Sequence, residues 1–116
     1  MPKEKLNPLP SAAFQIMLSL ADHDLHGYEI MRRVEEHTGG RTRMGPGTLY
    51  SSIQALLDAG LIAEVTSRRD EDLNDERRRY YRLTAAGRKA AREEAERLAD
   101  MLRVARAKKI LRGEYV

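Results

Sequence analysis

The sequence predicts a mainly α chain with one small β-hairpin and a long closing helix, and three observations carry that expectation. Apolar residues recur at helical spacing in three successive segments between Ser11 and Ala59. The period then changes, with short β-prone runs at Leu61–Thr66 and Arg78–Thr84. From Thr84 onward the residues are strong helix formers, with no Gly or Pro between Arg88 and Arg112. Three helices followed by a hairpin make a winged helix-turn-helix, here with a long C-terminal helix appended.

Length and composition bound the rest. The 116 residues allow one domain plus an extension, with a modest core. Aromatics are 5% and charged residues 34%, which points to an aliphatic core and a highly charged exterior. There is no cysteine, so neither a disulfide framework nor a thiolate metal site is available. No apolar run approaches the roughly 18 residues of a membrane span, and the N-terminus lacks a signal-peptide pattern, so a soluble, cytoplasmic protein is expected. The net charge of +3 decides little. Residues 1–40 carry 4 basic and 6 acidic side chains, residues 41–83 carry 8 and 7, and residues 84–116 carry 9 and 5. Local arginine clusters, and not bulk charge, must support any contact with nucleic acid.

Taken in order, residues 1–10 hold Pro2, Pro8 and Pro10 and read as an extended arm. Ser11 suits an N-cap for a helix in which Phe14, Ile16, Met17, Leu18, Leu20 and Ala21 are apolar on more than one side, as in the middle of a domain. Asp22 to Asp24 break it. A second amphipathic helix follows over Leu25–Gly40, with Ile30, Met31 and Val34 on one face and Gly39 and Gly40 closing it.

The organising stretch is Arg41–Ile62. Arg41 and Arg43 lead into Pro46, which is accepted at a helix start, and Gly60 suits the left-handed residue after a helix end. A helix over Gly47–Ala59 would bury Leu49, Ile53, Leu56 and Leu57. Its other face offers Thr48, Tyr50, Ser51 and Gln54, hydroxyl and amide groups with scarcely a charge among them. Such groups suit base edges and phosphate oxygens in a DNA major groove, although a neutral surface helix would look the same. The wing would add Arg68, Arg69, Arg77, Arg78 and Arg79 to the DNA-binding set.

Residues 11–84 therefore form the expected winged-helix domain and residues 85–116 the closing helix and tail. Thr84 suits the cap of that helix. Along it Ala91, Ala95, Leu98, Leu102 and Ala105 advance in alternating steps of four and three, a short seam suited to a homodimer, and Lys109 interrupts the seam. The alternative is that the helix folds back on its own domain. In the polar loop, Asp70, Asp72 and Asn74 have the first spacings of a calcium loop, but Asp75 stands where glycine is needed and Tyr81 where glutamate is, so no metal and no cofactor is expected. His23, His26 and His37 lack ligand spacing, and no nucleophile, base and oxyanion set is present, which argues against an enzyme.

Three pieces, HGYEI at His26–Ile30, GTLYSSIQALLDAGLI at Gly47–Ile62 and RRYYRLTAAG at Arg78–Gly87, together resemble the PadR family of bacterial transcriptional regulators. The resemblance covers residues 9 to 105 in order. It implies a winged-helix DNA-binding domain, a C-terminal dimerisation helix, usually repression, and membership of a compact subgroup. Tyr50 matches the tyrosine of the family's G-x-L-Y element, Gly60, Leu61 and Ile62 match the exit into the wing, and Tyr80, Tyr81, Leu83, Thr84 and Gly87 match the passage into the last helix. Ser51 departs from the proline that often follows that tyrosine. The wing tip, with Asp70, Glu71, Asp72, Asp75 and Glu76, is acidic and would be repelled by phosphate.

Double-stranded DNA and a second copy are thus the expected partners. A small aromatic or apolar effector is a further one, for which Phe14, Met17, Met101 and Leu102 are the candidate residues; they are equally well explained as ordinary core. The alternative function is a winged helix used for protein contact, with Tyr50 and Tyr81 as anchors.

Overall fold

The computed structural model describes residue 6, residues 8–65 and residues 79–112. Among the described residues four α-helices and three short strands follow one another: α1 Ser11–Ser19, β1 Leu25–His26, α2 Gly27–His37, α3 Pro46–Asp58, β2 Ile62–Val65, β3 Tyr80–Leu83 and α4 Ala85–Ala107. The winged helix-turn-helix expected from the sequence is what forms.

Helix α1 is central, as its many-sided apolar pattern requires. Ala13, Ile16, Met17 and Leu20 are buried, and the helix packs against α2, α3 and α4. Pro10, not Ser11, is the N-cap residue. Ser19 tolerates full burial because its Oγ donates to the Ile16 carbonyl at 2.6 Å. Ile30 and Val34 of α2 and Leu49, Ile53 and Leu56 of α3 close over it to complete the core.

The hairpin is a three-stranded antiparallel sheet in the order β1-β3-β2. Leu25 and His26, expected to open α2, instead pair with Tyr81 and Tyr80. Two residues cannot show a period, so only tertiary pairing reveals them as a strand. Buried Leu25 pins the strand from inside. Outside, Arg82 donates to both carboxylate oxygens of Asp24, at 3.2 and 2.8 Å. Helix α2 then begins with His26 as its cap: Nδ1 accepts the Glu29 N–H at 3.3 Å and the Glu29 carboxylate accepts the His26 N–H at 3.5 Å.

The passage from α3 to α4 is tightly built. Gly60 has φ +76°, which lets its N–H reach the Leu57 carbonyl and the Leu61 N–H reach that of Leu56, each at 3.0 Å. The Leu61 carbonyl in turn accepts the Thr84 N–H at 3.1 Å. Thr84 caps α4 as expected, its Oγ1 accepting the Gly87 N–H at 3.0 Å. Helix α4 ends where the seam is interrupted. Lys109 takes φ 65°, and the Lys109 and Ile110 N–H groups return to the Arg106 and Ala105 carbonyls.

Candidate nucleic-acid interface

Helix α3 presents the two faces its sequence promises. Leu49, Ile53 and Leu56 are buried, while Thr48, Tyr50, Ser51 and Gln54 are exposed. Leu57 is only half-buried, at the edge of the core. Ser51 Oγ donates to the Thr48 carbonyl at 3.2 Å. Gln54 is also engaged, since its Nε2 donates to Asp58 Oδ1 at 2.9 Å. A glutamine reading adenine in bidentate fashion donates from that same nitrogen, and the bond to Asp58 engages one of its two N–H groups and sets the rotamer from which a base would be reached. The i, i+4 spacing of a glutamine and an aspartate was the sequence signal for this pair.

The loop leading to α3 is anchored so that its arginines face out. The Thr38 hydroxyl donates to the Val34 carbonyl and accepts the Thr42 N–H, both at 3.0 Å, and Met44 is buried. Arg41 and Arg43 are exposed. Arg43 lies 3.6 Å from a Glu35 carboxylate oxygen with both side chains open to solvent, an ion pair weak enough to exchange for phosphate.

On the sheet side, Arg79 stands exposed just before β3, with its Nε 3.6 Å from Glu64 of β2. Between α3 and the sheet lies a depression of about 450 Å³ lined by Tyr50, Ile53, Gln54, Leu57, Glu64, Arg79 and Tyr81. It brings Tyr50 and Gln54 of the helix and Arg79 of the wing to one surface. Tyr81 is mostly buried in its floor. Burial pushes the Tyr81 hydroxyl up from its ordinary value, and Glu64 and Tyr50 add to the shift, so it remains a neutral phenol. Arg68, Arg69, Arg77 and Arg78, together with the acidic tip and its calcium-like spacing, lie outside the described residues.

The remaining candidates sit on α4 and α1. Ala91 packs against the core of its own domain, Leu98 and Ala105 are half-buried, and Ala95 and Leu102 are exposed. Glu94, on the same stripe, is 7% exposed, with Arg97 donating to its carboxylate at 3.0 and 2.5 Å. Those bonds hold the Glu94 carboxyl below the usual carboxylate range, and the Leu9 N–H adds to the effect, tying Leu9 to α4. A buried glutamate on an apolar stripe had no signal in the sequence. Of the residues considered for an effector, Met17 is fully buried, Phe14 is half-buried, and Met101 and Leu102 are about half exposed. Among the described residues no cluster of side chains could hold a metal ion, and no helix is long and apolar enough to cross a membrane.

This geometry has close relatives. The model of the "Transcriptional regulator PadR-like family" matches residues 16–93. The transcriptional regulator Rv3488 of Mycobacterium tuberculosis is 34% identical over 88 residues, covering 76% of each chain. A 37.1 kDa protein encoded in a transposon of Streptomyces fradiae is 33% identical over 90 residues; the match takes in 78% of this chain but spans about a quarter, 24%, of that protein. In three dimensions the chain resembles a PadR family transcription regulator from Clostridium difficile, with TM-score 0.71 and 24% identity over 84% of this chain and 97% of that one. The chain belongs to the PadR-like family, whose members are transcription regulators that act on DNA and are not enzymes.

Proposed function

We propose that the protein is a cytoplasmic, homodimeric repressor that binds a pseudo-palindromic operator. In this reading residues 11–84 bind the DNA and residues 85–116 pair the two copies. The observation that carries it is the uncharged, hydrogen-bonding face of α3, formed by Thr48, Tyr50, Ser51 and Gln54, flanked by exposed Arg41, Arg43 and Arg79. Arginines hold the phosphates and fix register, and the helix face reads base edges in the major groove. Arg68, Arg69, Arg77 and Arg78 extend the phosphate contacts along the wing.

Pairing is supported by the outer half of α4, where Met101, Leu102 and Val104 are each about half exposed. A small aromatic or apolar effector would relieve repression by favouring a dimer geometry in which the recognition helices miss successive major grooves, about 34 Å apart. Phe14, Met101 and Leu102 retain surface that such a ligand could touch, and buried Met17 does not.

Selection of bound duplexes from a random pool tests the proposal. A recovered palindrome with half-sites one helical turn apart supports it, and a pool that yields no enriched sequence turns the reading towards protein contact.

A further inference from the structure

One contact behind the DNA-facing surface joins α2 to α3. A Cβ added at Gly27 would lie 2.7 Å from the Tyr50 hydroxyl oxygen and 3.2 Å from its Cζ, closer than such atoms normally come. Gly27 is the buried first residue of α2. Tyr50, in the first turns of α3, is 50% exposed. The phenol therefore reaches from the recognition helix back to the start of α2, with its hydroxyl end over the glycine and part of its surface open to solvent.

We infer that Gly27 is a positioning residue for operator binding: its missing Cβ is the seat that holds the Tyr50 hydroxyl where it meets a DNA phosphate. This rests on the DNA-binding reading above. A seated side chain has given up rotamer freedom before DNA arrives, so the contact forms without that ordering cost. The seat also fixes which way the ring faces, towards the depression that Tyr50 shares with Gln54 and Arg79. Alanine at Gly27 would displace the tyrosine and little else. The close atoms are the far end of one side chain, and Gly27 has helical backbone, where alanine is preferred to glycine.

The test titrates the selected operator against Gly27→Ala, Tyr50→Phe and the double variant, with circular dichroism melts alongside. Each single change should weaken binding on the order of tenfold, as expected for one hydrogen bond to a charged group. Base preference should stay unaltered, since a phosphate contact carries no sequence information. The double variant should bind no more weakly than the weaker single one, because both changes act through the same hydroxyl. Wild-type affinity in Gly27→Ala, losses that multiply in the double variant, or a Gly27→Ala chain that fails to fold would each overturn the inference. Failure of the unmodified chain to select any duplex would instead overturn the DNA-binding reading.

Discussion

The Thr84 hydroxyl donates to the Gly60 carbonyl at 2.8 Å, joining the turn that ends α3 to the residue that caps α4. Helices α3 and α4 thus share a hydrogen-bonded joint. Thr84→Val removes both hydroxyl bonds at nearly constant shape. Loss of the cap should cost about 0.5 to 2 kcal/mol, read as a lower melting midpoint, and Thr84→Ser should keep most of it. An unchanged midpoint in Thr84→Val would show that the backbone bond from Thr84 to Leu61 suffices.

The same joint depends on the absence of a side chain at Gly87. A Cβ there would overlap the Leu61 carbonyl oxygen and crowd a Leu83 methyl group. A backbone carbonyl that already accepts the Thr84 N–H cannot swing aside cheaply. Gly87→Ala should lose about 1 to 3 kcal/mol in urea unfolding, the usual range for forced overpacking. Gly47, with open space around its Cα in the first turn of α3, provides the control. Gly47→Ala should be neutral or stabilising, and equal losses in the two variants would refute the steric account.

Acid should loosen the bond between Leu9 and α4. Arg97 and the Leu9 N–H hold the Glu94 carboxyl below its ordinary range, so the folded state binds that proton less readily than the unfolded chain. The stabilisation is complete above the ordinary glutamate value, about 4.3, and is lost as pH falls through the lower folded value. Glu94→Gln should flatten this acid limb and expose the Leu9 amide to faster hydrogen exchange at neutral pH. Identical acid limbs in both chains would mean that other carboxylates set the transition.

Much of this architecture was legible in the sequence because it is periodic. Leu49, Ile53 and Leu56 repeat at helical spacing and are buried together, and Gly60 and Thr84 mark helix ends through local backbone demands that a sequence states directly. What was not legible depends on residues far apart in the chain. Leu25 becomes a strand because Tyr81 lies beside it, and Tyr50 meets Gly27 only after α2 and α3 cross. Glu94 can occupy an apolar position because Leu9, distant in the chain, bonds it there, although its i, i+3 pairing with Arg97 is local. The Gln54 and Asp58 pair was readable from spacing alone.

That pair predicts a gain in discrimination. Asp58→Ala frees the Gln54 amide to turn towards an adenine edge, while Asp58→Asn removes the charge but keeps the acceptor. Both should bind all duplexes more tightly, because an anion beside phosphate is gone. Only Asp58→Ala should sharpen preference at one base per half-site, within the roughly 1 to 3 kcal/mol that a bidentate contact supplies, and adding Gln54→Ala should abolish the sharpening. Equal preference profiles for the two Asp58 variants would remove Gln54 from base reading.

The proposed pairing of two chains should depend on the outer part of α4. Its inner stripe, Gly87, Ala91 and Glu94, is occupied by its own domain, and the stripe continues through Leu98, Met101, Leu102 and Ala105 towards the helix end at Ala107. Met101, Leu102 and Val104 on this outer part are each about half exposed, apolar surface that a second copy would cover. A cut after Arg97 keeps the Glu94 ion pair and should leave a folded monomer. Leu102→Glu tests the same surface in the full chain by placing a charge on the stripe. Both should bind the operator about 100- to 10,000-fold more weakly, because two unlinked half-sites lose their effective concentration, while binding of a single half-site should be nearly unaltered. A truncated chain that still sediments as a dimer would assign assembly to another surface, and a monomer with full operator affinity would show that one copy reads the whole site.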